Sequence, residues 1–296
     1  MLIRDISIEK FIIEKTRFIS KNMKIGVSSW CFAWSIGVPN YPKPEKPLDF
    51  NGLLRRAKEL DVELLQIAEN FPLHEFKEST LEEWASLARE YDIEIETATW
   101  GISSEVLLRY LDIAEIFGSK IVRTIIKPEE VRKGLEYVIQ KLRSVLPRFE
   151  ERNIVLLLEN YEQTKSDELL KIFTTLNSSH LGLCLDTTNS IGAVEPVETI
   201  MDKLISYVKE VHLKDYIIRR FNHRFGMIVI GAPLGEGQLD LDSVLNRICA
   251  MKRDINIIIE QWLPFTRSLE ETLQLEAEWL AKNVAFLKEA LKRMIK

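Results

Sequence analysis

The chain has 296 residues, a formal net charge of −5 and a hydrophobic content of 46%. This hydrophobic content is enough to bury a large core, which excludes a disordered chain, and the length suits one α/β barrel. The acidic balance argues against nucleic acid as the main partner, and no apolar run reaches the roughly 20 residues of a membrane helix.

The cysteines and the amino terminus bear on location and domain organisation. Cys31, Cys184 and Cys249 are odd in number, far apart and without CxxC spacing, which favours neither a disulfide framework nor a thiolate zinc site. We therefore expect a reducing, cytoplasmic environment. Residues 1–22 form an amphipathic extension, either an added helix or a mis-assigned start, because "MKIGVSSW" begins directly on a strand at Met23. Residues 23–296 are expected to form one domain.

Short apolar or β-branched runs alternate with helical segments along this domain. The predicted strands are "KIGVSSW" from Lys24, "VELLQIA" from Val62, "IEIETATW" from Ile93, "KIVRTII" from Lys120, "IVLLLEN" from Ile154, "LGLCLD" from Leu181, "EVHLKD" from Glu210 and "INIIIEQW" from Ile255. Capping-box spacing predicts helix starts at Ser79 with Glu82 and at Ser268 with Glu271, another helix begins at Pro128, and one stops at Gly118. Eight strand and helix units predict a (β/α)8 TIM barrel.

Four consecutive predicted strands place a ligand-type side chain at or near their carboxyl ends. These residues are Glu159, Asp186, His212 and Glu260. Active sites of TIM barrels lie at this end of the barrel, and three carboxylates so close together would repel one another without a cation. The set predicts a divalent metal site for Mn²⁺, Mg²⁺ or Co²⁺, with Zn²⁺ as a further alternative. For any one of these residues alone, a salt bridge or a satisfied histidine is the more ordinary interpretation.

The same segments resemble a known family. "LLLENYE", "GLCLDTTNS", "VHLKD", "GAPLGEGQLD" and "IIIEQW" in this order are similar to the sugar phosphate isomerase/epimerase group of the xylose isomerase-like TIM barrels. The resemblance implies that Glu159, Asp186, His212 and Glu260 bind the metal, with Mn²⁺ expected first, and that Glu159 and Glu260 form the acid/base pair. Ketose epimerases of the group often carry a histidine near the position of Asn189, so "DTTN" departs from the tagatose-type pattern.

The residues are consistent with proton abstraction next to a carbonyl group. A metal that binds a carbonyl and its neighbouring hydroxyl lowers the pKa of the proton on the carbon between them and stabilises the enediolate. Two carboxylates can then remove and return a proton, which gives epimerisation or isomerisation, while loss of a β-hydroxyl from the same intermediate gives an inosose-type dehydration. The sequence leaves these reactions open, on a small carbohydrate or sugar phosphate.

Further residues at strand ends are candidates for substrate binding. Lys214 is two positions beyond His212 and should face the same side, although a salt bridge to Asp215 or Glu236 is an equal alternative. Glycines in "GAPLGEG" suit a mobile loop that brings Glu236 to the site, or a plain turn. The remaining candidates are three tryptophans that could wall a sugar pocket, three polar residues and a basic segment: Trp30, Trp100, Trp262, Asn70, Lys127, Gln261 and "RRFNHRF" from Arg219.

Three other classes of protein are alternatives to the isomerase. An endonuclease IV-type repair enzyme needs more histidines than the four present and gains little from an acidic chain. A non-catalytic sugar-binding barrel would be stabilised by ligand without turnover. A Schiff-base aldolase would require Lys214 to be neutral beside several acids. We expect no nucleic-acid or membrane partner, and a homo-oligomer is compatible with the sequence.

Overall fold

The computed structural model describes residues 23–295, so the predicted extension 1–22 lies outside the described residues. Eight parallel strands form a closed barrel in the order β1-β10-β7-β6-β5-β4-β3-β2. They are β1 (Ile25–Ser28), β2 (Leu64–Ile67), β3 (Glu94–Trp100), β4 (Ile121–Ile125), β5 (Val155–Glu159), β6 (Leu181–Asp186), β7 (Val208–Leu213) and β10 (Asn256–Ile259). All eight predicted strands are confirmed.

Helices follow the strands and surround the barrel. They are α1 (Ala33–Ile36), α2 (Phe50–Glu59), α3 (Glu78–Tyr91), α4 (Ser104–Phe117), α5 (Pro128–Val131), α6 (Leu135–Glu151), α7 (Ser166–Leu176), α8 (Val197–Leu204), α9 (Leu241–Ala250) and α10 (Leu269–Ile295). The main hydrophobic core lies between the strands and this outer layer, as expected for a TIM barrel. No helix among the described residues is both long and apolar enough to cross a membrane.

Helix boundaries agree with some of the predicted signals. Helix α4 ends at Gly118 in the left-handed conformation (φ 71°), and the Ser268 hydroxyl accepts a hydrogen bond from the N–H of Glu271 at 3.2 Å. The capping box at Ser79 is wrong, because α3 already begins at Glu78 with Lys77 as its N-cap. The helix predicted from Pro128 is two helices, separated at Gly134, whose φ of 92° is outside the helical range.

A two-stranded antiparallel hairpin follows β7 and was not predicted. It consists of β8 (Asp215–Arg220) and β9 (Met227–Ala232). Its base packs on the barrel, since a Cβ atom at Gly231 would lie only 2.3 Å from the carbonyl oxygen of Trp262. The hairpin therefore continues one wall above the carboxyl end of the barrel.

Candidate active site

The four predicted metal ligands converge at the carboxyl end of the barrel. The strand register pairs Asp186 directly with His212. His212 Nδ1 lies 3.3 Å from Glu159 Oε2 and 3.5 Å from Glu260 Oε1. One ligand atom each of Asp186, His212 and Glu260 lie within 4.8 Å of one another, and Glu159, Cys184 and His212 form a second group of this kind. The side chains of all five residues are buried.

Asp186 and Lys214 form the part of the cluster next to β6 and β7. Asp186 Oδ1 accepts hydrogen bonds from the N–H groups of Thr188 at 2.8 Å and Asn189 at 2.7 Å. The Lys214 ammonium lies 2.8 Å from Asp186 Oδ2 and 2.8 Å from Glu260 Oε2. Burial raises the pKa of Asp186, and Lys214 offsets only part of that effect. Lys214 thus pairs with two predicted metal ligands, and its ion pairs do not include Asp215 or Glu236, the partners of the alternative interpretation.

A buried arginine on β4 completes the cluster. Arg123 NH1 lies 3.0 Å from Glu69 Oε2, and Arg123 Nε lies 3.1 Å from Glu159 Oε2. Only 1% of the Arg123 side chain is exposed, so its charge requires these partners. Glu69 also accepts a hydrogen bond from Trp30 Nε1 at 3.1 Å. Sequence reasoning missed Arg123 and Glu69, although a charged residue inside the apolar run "KIVRTII" was a usable signal.

The two predicted acid/base residues are held as carboxylates by neighbouring cations. Burial alone would raise the pKa of Glu260, but the Lys214 ammonium and the His212 imidazole lower it to about 2. Burial would also raise the pKa of Glu159, but the positive charges of Arg123 and His212 have the larger effect and lower it. Both carboxylates are therefore ionised and ion-paired in the barrel.

A second polar group lies deeper in the barrel, beneath His212. Glu210 Oε1 accepts hydrogen bonds from Gln66 Nε2 at 2.8 Å and from Cys184 Sγ at 3.4 Å, and it lies 3.2 Å from His212 Nε2. Burial and the neighbouring Glu210 raise the pKa of Glu96. Burial also acts to raise the pKa of Glu210, but hydrogen bonds from Glu96 and His212 lower it to about 2. The two pKa values are thus shifted in opposite directions, so the ionised form is favoured at Glu210 and the neutral form at Glu96.

The donor atoms of the cluster fit a divalent cation. Glu159 Oε2, Asp186 Oδ2, His212 Nδ1 and Glu260 Oε1 are buried and, apart from ion-pair contacts, make no hydrogen bond within the described part of the chain. Three carboxylate oxygens and one imidazole nitrogen suit Mg²⁺, Mn²⁺ or Zn²⁺. The local charges agree once His212 is neutral, as a metal-binding imidazole is, because four carboxylates, those three and Glu69, then pair with the two cations Arg123 and Lys214. The two negative charges left over equal the charge of one divalent ion.

A cleft of about 170 Å³ opens above the cluster. Three predicted tryptophans line it, Trp30, Trp100 and Trp262, together with Tyr161. The Nε1 of Trp100 is buried and makes no hydrogen bond within residues 23–295. Glu159, Asn189, Lys214 and Glu260 form part of the same lining, and Asn189 Nδ2 donates to Glu159 Oε1 at 2.5 Å. The cleft therefore combines aromatic walls with a charged floor.

Two predicted substrate-binding residues have other partners. Asn70 exchanges hydrogen bonds with Ser29, and Gln261 donates to the carbonyl oxygens of Cys31 and Glu276. Both side chains thus tie the strand ends of the barrel to the segment after β1. Lys127 is close to Gly101, where an added Cβ would lie 3.0 Å from Lys127 Cε.

Glu236 is not brought to the cleft. Its side chain is 58% exposed and lies 3.5 Å from Lys282 Nζ. The glycine-rich loop folds around the Asp215 carboxylate, which accepts hydrogen bonds from the N–H groups of Gly235 and Gly237, at 3.0 Å each. These contacts hold the loop in place and point Glu236 to solvent, which agrees with a plain turn, one of the two alternatives that the sequence left open, rather than with a mobile loop that delivers Glu236.

The basic segment "RRFNHRF" lies on the exposed end of the hairpin. Phe225 is 90% exposed and Met227 is 62% exposed. Arg220 NH1 donates to the Arg224 carbonyl oxygen at 3.2 Å, so the segment is partly closed on itself. None of its residues lines the cleft above the four ligands. The structure thus separates this segment from the predicted metal cluster.

Comparison with known proteins agrees with this geometry. Residues 54–283 match the family model of the xylose isomerase-like TIM barrel. The chain is 33% identical over 267 residues to a 3-oxo-isoapionate decarboxylase of Pectobacterium atrosepticum, and the match covers 90% of this chain and 95% of that protein.

Solved structures show the same fold. A xylose isomerase-like TIM barrel protein of Mycobacterium smegmatis in complex with magnesium superposes with a TM-score of 0.70 and 18% identity, covering 93% of this chain and 98% of that one. A D-psicose 3-epimerase of Clostridium cellulolyticum H10 with D-tagatose gives a TM-score of 0.69 and 12% identity, covering 91% and 99%. These two structures share the fold, and the family model, which matches more than half of the chain, shows that the chain belongs to the xylose isomerase-like TIM barrel family.

Proposed function

We propose that this protein is a divalent-metal-dependent enzyme that forms an enolate or enediolate from a small hydroxylated carbonyl compound, and that its reaction is the decarboxylation of a 3-oxo sugar acid. The observation that carries the proposal is the cluster of four buried ligand atoms at the floor of the aromatic cleft, which make ion-pair contacts but no hydrogen bond within the described residues. The decarboxylase relative, which matches along 95% of its length, supports the choice of reaction.

Glu159, Asp186, His212 and Glu260 would hold the metal ion. A bound divalent cation would act as a Lewis acid towards a carbonyl oxygen of the substrate. Mn²⁺ remains our first expectation, with Mg²⁺, Co²⁺ and Zn²⁺ as alternatives.

The chain's own residues provide the remaining elements of a decarboxylation site. In this reaction the bond between the α-carbon and the carboxylate breaks, its electron pair passes into the enolate, CO₂ leaves and the α-carbon takes a proton. Lys214 and Arg123 place two buried positive charges at the floor of the cleft, where they favour the developing enolate charge. The tryptophan walls limit the access of water to this intermediate.

The ion pairs of the two glutamates favour decarboxylation over proton abstraction. Glu260 Oε2 lies 2.8 Å from the Lys214 ammonium, and Glu159 Oε2 lies 3.1 Å from Arg123 Nε. A carboxylate held by a cation is a weaker base. Decarboxylation needs no base to remove a proton from carbon, because CO₂ leaves and the electron pair of the broken C–C bond stays on the substrate as the enolate.

Isomerisation or epimerisation of a ketose is the second candidate. It is favoured by the presence of two carboxylates, Glu159 and Glu260, in the lining of one cleft, and it uses the same type of intermediate. A dehydration of the inosose type would start from this intermediate as well.

One experiment separates these reactions. The purified protein with Mn²⁺ or Mg²⁺ is incubated in D₂O with 3-oxo sugar acids, including 3-oxo-isoapionate, and with ketoses, inososes and their phosphates, and the products are followed by proton NMR and CO₂ release. We expect CO₂ release from a 3-oxo acid with one deuterium incorporated into the product. The reaction should be lost when the metal is removed with EDTA and restored when it is added back.

Glu260→Gln provides the control, since it removes one predicted ligand with little change in volume. Exchange of a ketose α-proton without CO₂ release would assign an isomerase or epimerase. Loss of water from an inosose would assign a dehydratase. Metal binding without turnover of any of these compounds would contradict the proposed enzymatic function.

A further inference from the structure

Glu210 is a fully buried carboxylate directly below the proposed metal cluster. It lies on β7 two residues before His212, and both side chains are 0% exposed. Residues two apart on a strand face the same side. Glu210 and His212 thus both point into the barrel, with Glu210 nearer to its amino-terminal end.

Burial of this carboxylate calls for compensation. Barrel interiors are usually filled by branched apolar side chains, and an ionised carboxylate removed from water is costly unless donors surround it. Two such donors are present. Glu210 Oε1 accepts hydrogen bonds from Gln66 Nε2 at 2.8 Å and from Cys184 Sγ at 3.4 Å, and it lies 3.2 Å from His212 Nε2. Of these three neighbours, His212 is itself one of the four proposed metal ligands.

We propose that Glu210 is a positioning residue that fixes the orientation and tautomer of His212. In a neutral imidazole one nitrogen carries the proton and the other offers a lone pair. A proton on Nε2 would face Glu210 Oε1 at 3.2 Å and leave the lone pair on Nδ1, which lies 3.3 Å from Glu159 Oε2 and 3.5 Å from Glu260 Oε1. Apart from ion-pair contacts, neither ring nitrogen makes a hydrogen bond within the described residues; the ion-pair neighbour of Nε2 is Glu210, whereas Nδ1 faces the two predicted ligands Glu159 and Glu260 and is available to a metal ion. This inference rests on the proposed function for the assignment of His212 as a ligand.

On this proposal, Glu210, which lies deeper in the barrel, fixes the orientation of the His212 imidazole ring. A metal-bound histidine commonly donates its other N–H to a carboxylate, and loss of that partner typically costs 10- to 100-fold in metal affinity. Without Glu210, Nε2 would lose its ion-pair partner, and the weakly accepting sulfur of Cys184 would be left as a neighbour of the ring. The ring would then lose both the preference for one tautomer and part of its fixed orientation.

The test measures metal binding rather than catalysis. Metal-free wild-type protein, Glu210→Leu and Glu210→Gln are titrated with Mn²⁺ and Co²⁺ by calorimetry, and thermal unfolding of each is recorded. We expect Glu210→Leu to bind both metals about 10- to 100-fold more weakly, while Glu210→Gln, which keeps an oxygen acceptor, shows a smaller loss. The absorption spectrum of the Co²⁺ form should change in Glu210→Leu, which a merely structural role would not produce.

Glu130→Gln is the matched control. Glu130 is also buried, but its carboxylate accepts hydrogen bonds from the N–H groups of Ile102 and Lys127, outside the contacts of His212. Its metal affinity should equal that of the wild type. If Glu210→Leu fails to fold, Glu210→Gln and the NMR measurement described next still decide the question.

Nitrogen-15 NMR of the Zn²⁺-loaded wild-type protein reports the tautomer directly. We expect His212 to carry its proton on Nε2 and to bind zinc through Nδ1. Coordination through Nε2, or unchanged metal affinity in a folded Glu210→Leu, would overturn this inference alone. Absence of metal binding by the wild type would overturn the proposed function together with the inference, so the two failures are distinguishable.

Discussion

Lys214 shows how one residue decides the electrostatics of the site. Its ammonium lies 2.8 Å from both Asp186 Oδ2 and Glu260 Oε2, and only 5% of the side chain is exposed. Burial alone would lower its pKa, but Asp186, Glu260 and Glu159 raise it, so the side chain is charged at neutral pH. In the absence of metal, Lys214 is therefore a main source of positive charge for two buried carboxylates.

Lys214→Met should destabilise the metal-free protein. Removal of one partner of a buried ion pair leaves the other charge uncompensated, which typically costs about 3–5 kcal/mol. We expect a decrease of this order in the free energy of unfolding, measured with urea in the presence of EDTA. Saturating Mn²⁺ should reduce the difference from the wild type, because the metal ion supplies positive charge to the same carboxylates.

Lys282→Met is the control for this prediction, since Lys282 pairs with Glu236 at 3.5 Å while both side chains are more than half exposed. An exposed pair contributes little to stability, so this variant should unfold like the wild type. Equal stability of Lys214→Met and the wild type without metal would show that the buried carboxylates do not depend on Lys214.

A polar site residue could be predicted from the sequence when it ends its strand, but not when it lies inside the strand. Glu159 and Asp186 end apolar strands, and the general location of TIM-barrel active sites was enough to group them with His212 and Glu260. Arg123 and Glu210 lie inside strands, where sequence reasoning assumed an apolar interior. Their partners come from other strands, and those contacts depend on the barrel register and closure, which the sequence does not state.

At the scale of elements, the hairpin β8–β9 connects to the cleft through one close backbone contact. A Cβ at Gly231 would lie 2.3 Å from the Trp262 carbonyl oxygen, and Trp262 lines the cleft. Because the contacting atom belongs to the backbone, Gly231→Ala must displace the hairpin or the segment after β10. We expect a loss of about 1–3 kcal/mol, measured by urea unfolding, and a shift in tryptophan fluorescence.

The matched control is Gly192→Ala. An added Cβ there would meet Cγ of Glu162 at 2.6 Å, and this exposed side chain can rotate away. Stability close to that of the wild type is expected. If Gly231→Ala behaved in the same way, the hairpin would not be fixed against the cleft wall.

Helix α10 and the short helix α1 are connected by Glu276. Its carboxylate accepts hydrogen bonds from the N–H groups of Trp34 at 2.7 Å and Ser35 at 3.1 Å, and from the Ser35 hydroxyl. Burial nevertheless raises the pKa of Glu276 from 4.5 to about 7. The folded protein therefore retains a proton that the unfolded chain releases as the pH rises above about 4.5.

The sign of the resulting pH dependence follows from this difference. The folded state binds more protons between about pH 4.5 and 7, so the free energy of unfolding should fall as pH rises through this range, by about 3 kcal/mol from Glu276. Glu276→Gln should flatten this part of the profile, measured by urea unfolding from pH 5 to 8. A variant with the slope of the wild type would assign the dependence to other groups.

Strands and helices could be predicted where a short run of neighbouring residues carries the pattern. The eight barrel strands are short apolar runs, and each was found at its predicted place. The hairpin was missed because a glycine-rich, basic segment was interpreted as a loop, although "DYIIRRF" and "GMIVIGA" both contain strand-forming residues. The helix predicted from Pro128 was divided by Gly134, where the backbone adopts a positive φ.

At the scale of the whole molecule, the proposed metal cluster depends on the closed barrel. Its four predicted ligands come from β5, β6 and β7 and from the residue after β10, and these strands are neighbours in the barrel. The unfolded chain cannot bring the four side chains together, so a metal ion should bind the native state far better than the unfolded state. Metal binding should therefore stabilise the entire barrel.

We expect Mn²⁺ at 100 times its dissociation constant to raise the free energy of unfolding by about 2.7 kcal/mol, measured by urea unfolding with and without EDTA. The increase should appear as a shift of the whole unfolding transition, because the ligands belong to strands on which barrel closure depends. Asp186→Asn, which replaces one ligand by a neutral side chain of the same size, should lose most of this increase. If Asp186→Asn were stabilised by Mn²⁺ as much as the wild type, the metal ion would bind elsewhere on the protein, and the cluster would be an ion-pair network balanced by Lys214 and Arg123.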